Sequence, residues 1–324
     1  MHRWIIRRTS MTRKSIKSES CKQLLATFYD NPRVTIVQKL VFSGVGNRDV
    51  YNITAPFQYD GEGVILGRVE ERDSEFSQVF FFTCKDQIWS PRIHTHTYNL
   101  QDPCMTIIKG ELIVGGVEVI IAVDNPSKIV SWVTQFYRGF HIDTLCHFSS
   151  GPGTMKDIRL IELKDGKVGV FTRPQGARGG RGQIGFTIID SLEELNEQTF
   201  IHAEILRDQF DPEEWGGANE AHLLGNGHVG VLGHVACFDT SGNKHYYSMV
   251  FAINPETCEK TAMKIIATRS DFPRGPGKRP DLEDVIFSGG LIRSGNGRAV
   301  LSVGVSDAEA YQIEIPDPFM EYEM

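Results

Sequence analysis

Seven polar or charged residues interrupt segments that otherwise read as apolar strands. Asn52 stands in DVYNITAPF, Arg68 in VILGRVE, Asp102 in YNLQDPCMTII and Lys156 in GTMKDIRLIEL. Arg173 stands in VGVFTRPQG, His234 in VGVLGHVA and Asp307 in LSVGVSDAEA. An unpaired buried charge is costly, so such residues are partnered, hydrated or lining a pocket. For any one of them a satisfied polar group or a strand end is the plain reading; their recurrence along the chain argues for a pocket. Lys156, Arg173 and His234 are cations or potential cations, a set suited to an oxyanion such as phosphate. Asp102 and Asp307 are carboxylates, the groups glycosidic chemistry uses as acid, base or nucleophile. Asp102 precedes Pro103, and Asp-Pro is also ordinary turn chemistry, so a turn role competes with a catalytic one. Glu70, Glu220, His222 and Tyr247 are further pocket candidates. Glu220 and His222 alternate along one strand, so both can share a face.

These residues need rigid elements to bring them together. The chain reads as about twenty short strands separated by turn signals such as Asp60-Gly61, Lys109-Gly110, Asp165-Gly166 and Gly225-Asn226-Gly227. Gly115-Gly116 divides two predicted strands, Glu111–Val114 and Val117–Val123. Helical spacing is confined to Ser20–Tyr29 and to a short candidate, Ser191–Asn196. The fold class is therefore all-β. Blocks of a turn and two apolar strands begin near residues 50, 100, 155, 218 and 284. That spacing, roughly 50 to 65 residues, is the scale of a four-stranded blade, so a five-bladed β-propeller is predicted over 23–324, with a sandwich as the alternative. In a propeller, polar residues that start inner strands meet at a central funnel although they are far apart in sequence.

The chain has 324 residues, 34 Lys and Arg against 41 Asp and Glu, and a net charge of −7, which argues against a general nucleic-acid binder. No apolar run approaches the roughly 20 residues of a membrane span. Six cysteines without a C-x-x-C pair point to free thiols and a reducing, cytoplasmic setting. Residues 1–22 are basic and serine-rich. They resemble an organelle transit peptide, although a disordered basic leader, or a start at Met11, is the plainer reading. His94 and His96 can chelate a metal from one strand face, but no third ligand is evident and no metal site is expected. The Gly- and Arg-rich stretch Gln175–Gly185 can touch phosphate or RNA, with Arg178 or Arg181 holding a phosphate or nucleotide; a mobile loop beside the anion site is the competing reading. Neither a P-loop nor a G-x-S-x-G nucleophile elbow is present.

The chain resembles the five-bladed propellers of glycoside hydrolase family 130, the β-mannoside phosphorylases. It is more closely similar to a related group, formerly a domain of unknown function, that includes protozoan β-1,2-mannan mannosyltransferase/phosphorylases. DVYNITAPF, GRVEERDSEFSQVFFF, GANEAHLL, GVLGHVA, LEDVIFSGGLIR and VGVSDAEA carry the likeness, from about Asp49 to Phe319. The resemblance implies Asn52, Arg68 and Asp307 as sugar-binding, Asp102 as the general acid, and Lys156, Arg173 and His234 as the phosphate site. It implies inverting transfer between an oligosaccharide and inorganic phosphate or GDP-mannose as co-substrate, with no cofactor. A hydrolase using Glu70 or Asp307 as base, and a non-catalytic carbohydrate-binding propeller, are the rival readings. Gln101 and Cys104 depart from the family's Glu-Asp-Pro-Arg motif, which bears on the acceptor. Oligomeric state is not legible.

Overall fold

The computed structural model describes residues 18–31 and 35–324, with the backbone alone at 125–127. Residues 1–17, which hold most of the basic leader and both candidate start methionines, lie outside the described part. The first helix, Cys21–Tyr29, is opened by a capping box between Ser20 and Gln23, and it buries Cys21 and Leu24. Ser20 to Lys22, expected in the leader, therefore belong to the folded body.

The chain is all-β as predicted, with strands in four sheets. The first sheet runs Val41–Phe42, Ile88–Pro91, Ser77–Lys85, Glu62–Glu70 and Asp49–Tyr51, with Phe57–Tyr59 also paired to Glu62–Glu70. The second runs Gln101–Ile108, Glu111–Ala122, Asn125–Gly139 and Cys146–Ser150. The third runs Arg159–Glu162, Val168–Thr172, Gly185–Ile189 and Glu204–Ile205. The eight-stranded fourth sheet contains two antiparallel sets: Trp215–Leu223, Val229–Phe238, Lys244–Ile253 and Lys264–Ala267, then Asp284–Arg293, Arg298–Val305, Glu309–Pro316 and Ile36–Lys39. Among the described residues, the one strand pairing between the sets is parallel, His245–Tyr246 with Asp284–Val285. Ile36–Lys39 pairs with Glu309–Pro316, so the N-terminal strand completes the set formed by the C-terminal ones.

The apolar runs are continuous because many strands are buried on both faces. Val64 and Leu66 pack toward the second sheet, whereas Ile65 between them packs on the other side. Val231 and Leu232 divide in the same way. Five apolar clusters result among the described residues. They link the first sheet to the second, the second to the third, the third to the first half of the fourth, and the two halves of the fourth to each other. The fifth returns to the first sheet, where Ala310 joins Ile53, Ile65 and Phe82.

Glu111–Ala122 is one strand and not two. Gly115 and Gly116 are close-packing positions rather than a turn: a Cβ on Gly115 would sit 2.8 Å from the Phe136 ring, and one on Gly116 would sit 2.9 Å from Leu100. The candidate helix Ser191–Asn196 is a single 3-10 turn at Leu192–Glu194, followed by a helix at Glu197–His202 that the apolar spacing did not indicate.

Candidate active site

The seven interrupting residues converge. Asn52, Arg68, Asp102, Lys156, Arg173, His234 and Asp307 line one cavity of about 190 Å3, together with Asp157, Tyr246 and Phe287. Asn52, Arg173 and Asp307 directly follow or lie just past strands, Arg68 and Asp102 lie near strand ends, Lys156 lies in the loop before Arg159–Glu162, and His234 lies mid-strand in Val229–Phe238. Asp102 lies in a bulge of Gln101–Ile108, where the register against Glu111–Ala122 shifts between Gln101 and Cys104. Such a bulge re-aims a side chain that a regular strand would direct elsewhere. Asn52, Asp102, Asp157 and Asp307 all have left-handed backbone, with φ of 47°, 47°, 55° and 50°. Asn and Asp tolerate this region better than other side chains, which is one physical reason for these types here, and backbone strain of this kind gathers at functional sites.

On one wall, Asp102 Oδ1 accepts from Asn52 Nδ2 at 2.7 Å and from Arg68 Nη1 at 3.0 Å. Burial raises its carboxyl, but Arg68, then Lys156 and the hydrogen bonds, outweigh burial and hold it below the ordinary carboxylate range. Asp307 has no hydrogen bond or ion pair of its own among the described residues. Burial pushes its carboxyl up; Arg68 opposes this and Asp102 adds to it. Two carboxyls in one cavity are thus driven apart in acidity.

The other wall is cationic. The Lys156 ammonium has no ion-pair partner among the described residues and lies 4.8 Å from the centre of the Trp132 ring. Burial lowers its pKa, against Asp102 and Asp157. Arg173 donates from Nε to the Gly216 carbonyl at 2.8 Å and lies 3.4 Å from Asp157 Oδ2. His234, 2% exposed, has Nδ1 2.8 Å from Asn219 Oδ1 and stacks on Tyr246. Burial pushes the imidazole down to about 4, so it is neutral at neutral pH rather than the cation its residue type suggested. Gly217 lets this wall close: a Cβ there would sit 2.9 Å from both Asp157 Oδ2 and His234 Cε1.

Four other candidates lie outside this cavity. Glu70, 1% exposed, is saturated by Arg68, Tyr51, Ser77 and Lys278. Glu220 accepts from the Leu291 amide at 2.7 Å and pairs with His222 at 2.8 Å; both line a second cavity of about 260 Å3 with Cys104 and Arg159. Tyr247 points the other way and donates to Asp284 at 3.1 Å. Its neighbour Tyr246 faces the site, because adjacent strand residues take opposite faces. Tyr246 and Asp157 are the residues that sequence reasoning missed; Asp157 adjoins Lys156 in the quoted motif, so the signal was present. Of the two departures beside Asp102, Gln101 lines the site and donates to the Glu75 carbonyl at 2.8 Å, while Cys104 lines the second cavity.

His94 and His96 occupy an exposed loop and not a strand face. No group of three metal-ligating side chains occurs among the described residues. Arg178 donates to the Ala203 carbonyl and Arg181 pairs with Glu213, so neither lines the cavity. All six cysteines are free thiols. No helix among the described residues is long and apolar enough to cross a membrane.

Residues 26–321 match the family described as a protein of unknown function (DUF1861). The chain belongs to this family. It is 36% identical to MPT-4, a mannose phosphorylase from Leishmania mexicana whose structure holds a phosphate ion, over 94% of this chain and 95% of that one, with a TM-score of 0.87. It is 33% identical to MPT-1, a GDP-Man-dependent mannosyltransferase from Leishmania mexicana, over 94% and 96% of the two chains, with a TM-score of 0.85. The β-1,2-mannobiose phosphorylase of Listeria innocua is 13% identical with a TM-score of 0.59 over 90% of this chain and 94% of that one, a likeness of fold. No curated protein matches the chain. Both Leishmania mexicana relatives are thus named as enzymes acting on mannosyl substrates.

Proposed function

We propose that this chain is an inverting mannosyl transferase/phosphorylase of β-1,2-linked mannosides on a five-bladed β-propeller. Five apolar clusters in cyclic order support the blade count, with the eight-stranded sheet divided at its two-residue waist. The observation that carries the function is a carboxylate held by Arg68 and Asn52 facing a wall of Lys156, Arg173 and Tyr246 in one cavity. The names of the two Leishmania relatives point the same way.

In this reading a mannosyl unit lies against Asn52, Arg68 and Asp307. Asp102 gives its proton to the departing glycosidic oxygen as the C1–O bond breaks, and a phosphate oxygen forms the new bond to C1 from the opposite face. Phosphate is itself the nucleophile, so no carboxylate base is needed. Arg68 and Lys156 favour the ionised carboxyl of Asp102, so the acid role needs a counterweight. A phosphate dianion seated against Lys156 supplies it by opposing that ammonium's field. In synthesis the donor is mannose 1-phosphate or GDP-mannose, and the acceptor an oligosaccharide; no cofactor takes part.

Hydrolysis remains the second reading because Asp307 is an unpartnered carboxyl that can serve as base; Glu70, with every oxygen occupied, cannot. The test is incubation with short β-1,2-mannosides, with and without phosphate and GDP-mannose, followed by product analysis. Phosphate-dependent formation of mannose 1-phosphate is expected. Free mannose regardless of phosphate would establish the hydrolase. Binding without turnover under any condition would leave a carbohydrate-binding propeller.

A further inference from the structure

The anion wall carries acceptors as well as donors. An amide oxygen only accepts, so the contact with Asn219 Oδ1 places the His234 hydrogen on Nδ1. A neutral imidazole with its hydrogen on Nδ1 has a lone pair on Nε2. Nε2 has no partner among the described residues, and the ring is buried in the cavity wall. Asp157 is the second acceptor. Its nearest cations are Arg173 Nη1 at 3.4 Å from Oδ2 and Arg159 Nη2 at 3.8 Å from Oδ1, both beyond a good hydrogen bond. The donors are Lys156, Arg173 and Tyr246, whose oxygen already accepts from Trp215 Nε1 at 3.0 Å and so keeps its hydrogen to give.

We infer that this subsite selects an oxyanion that carries its own proton: His234 Nε2, with the Asp157 carboxylate beside it, accepts the hydrogen of a P–OH group. The inference rests on reading the cavity as a phosphate site and names the form of phosphate it takes. Hydrogen phosphate presents a P–OH near neutral pH, whereas a phosphate monoester such as mannose 1-phosphate, with a second pKa of about 6, is there mostly the dianion that presents none. Sulfate presents none, and neither does the sugar-bearing phosphate of GDP-mannose, which is esterified on one side and in an anhydride on the other. An anion without that hydrogen leaves two buried acceptors facing its negative oxygens. A site built to bond a hydrogen rejects the analogue lacking it, here by roughly ten- to a hundredfold. The neutrality of His234 follows from its burial, which outweighs the pull of Asp157, with Arg173 and Arg159 acting in the same direction as burial.

The experiment is calorimetric titration of the full chain at neutral pH with phosphate and with sulfate, beside a turnover assay in phosphate. Phosphate is expected to bind at least tenfold more tightly than sulfate. Asp157→Asn, checked for folding by thermal unfolding, is expected to shrink the phosphate-to-sulfate ratio about tenfold, because an amide donates where the carboxylate accepted. Equal binding of phosphate and sulfate with phosphate-dependent turnover intact overturns this inference and leaves the phosphorylase reading standing. Absence of any phosphate binding removes both readings together.

Discussion

Two buried charge clusters lie on either side of Arg68, and they differ in completeness. Around Glu70 every group is used: both carboxylate oxygens accept, from Arg68, Tyr51 and Ser77 on one and Lys278 on the other. Glu75 closes the outer side against Lys278 at 3.2 Å and Arg279 at 2.7 Å. Across Arg68, the cavity holds Asp307 and Lys156 without ion-pair partners and His234 Nε2 without a hydrogen bond among the described residues. Buried charges persist when paired, so a saturated cluster needs nothing from outside, whereas an unsaturated one is completed by a ligand. Charge and burial are alike in the two clusters; unused hydrogen-bonding capacity separates the structural from the functional one.

The largest expected effect comes from Asp102→Asn. It keeps the shape of the side chain but cannot give a proton, and turnover is expected to fall about 10³-fold, while mannoside binding measured by calorimetry changes little. A wild-type rate in this variant would place Asp102 on the structural side of the comparison. Glu70→Gln should behave in the opposite way. It leaves Lys278 and Arg68 short of a buried counter-charge, and urea denaturation is expected to show a loss of about 3 kcal/mol. Unchanged stability with activity lost as in Asp102→Asn would erase the contrast.

The smallest effect is a pH dependence. The His234 imidazole is lowered from 6.5 to about 4. Between those values the unfolded chain binds a proton that the folded chain does not, so stability falls as pH drops through that window. By pH 5.5 the loss from this one group is about 1.4 kcal/mol. His234→Gln should flatten the unfolding-versus-pH curve between pH 6.5 and 4. A curve as steep as wild type would show that His234 is not held neutral.

The all-β class was legible because both-face burial writes continuous apolar runs, and Asp60-Gly61 or Lys109-Gly110 mark the turns between them. The seven interrupting residues were legible because a polar side chain in an apolar strand is a local anomaly. Gly115-Gly116 was misread because close approach to Phe136 and Leu100 is not written locally, and a glycine pair reads as a turn by default. Tyr247 was chosen over Tyr246 because a one-residue change of strand register exchanges the two faces.

For Asp102 and its partners, sequence alone determined the residue types, their interruption of apolar runs, and the chemistry such groups can do. It left Glu70 and Asp307 as alternatives for a hydrolytic base, since each is a carboxylate next to an apolar run. Only the tertiary structure separated them, by bringing Lys278, Tyr51 and Ser77 to one and, among the described residues, no hydrogen-bond or ion-pair partner to the other. The same holds for His234: its type allows either charge, and burial beside Asn219 is what makes it neutral. Pairing and desolvation are relations among residues distant in the chain, so they exist only once the sheets have closed around the cavity.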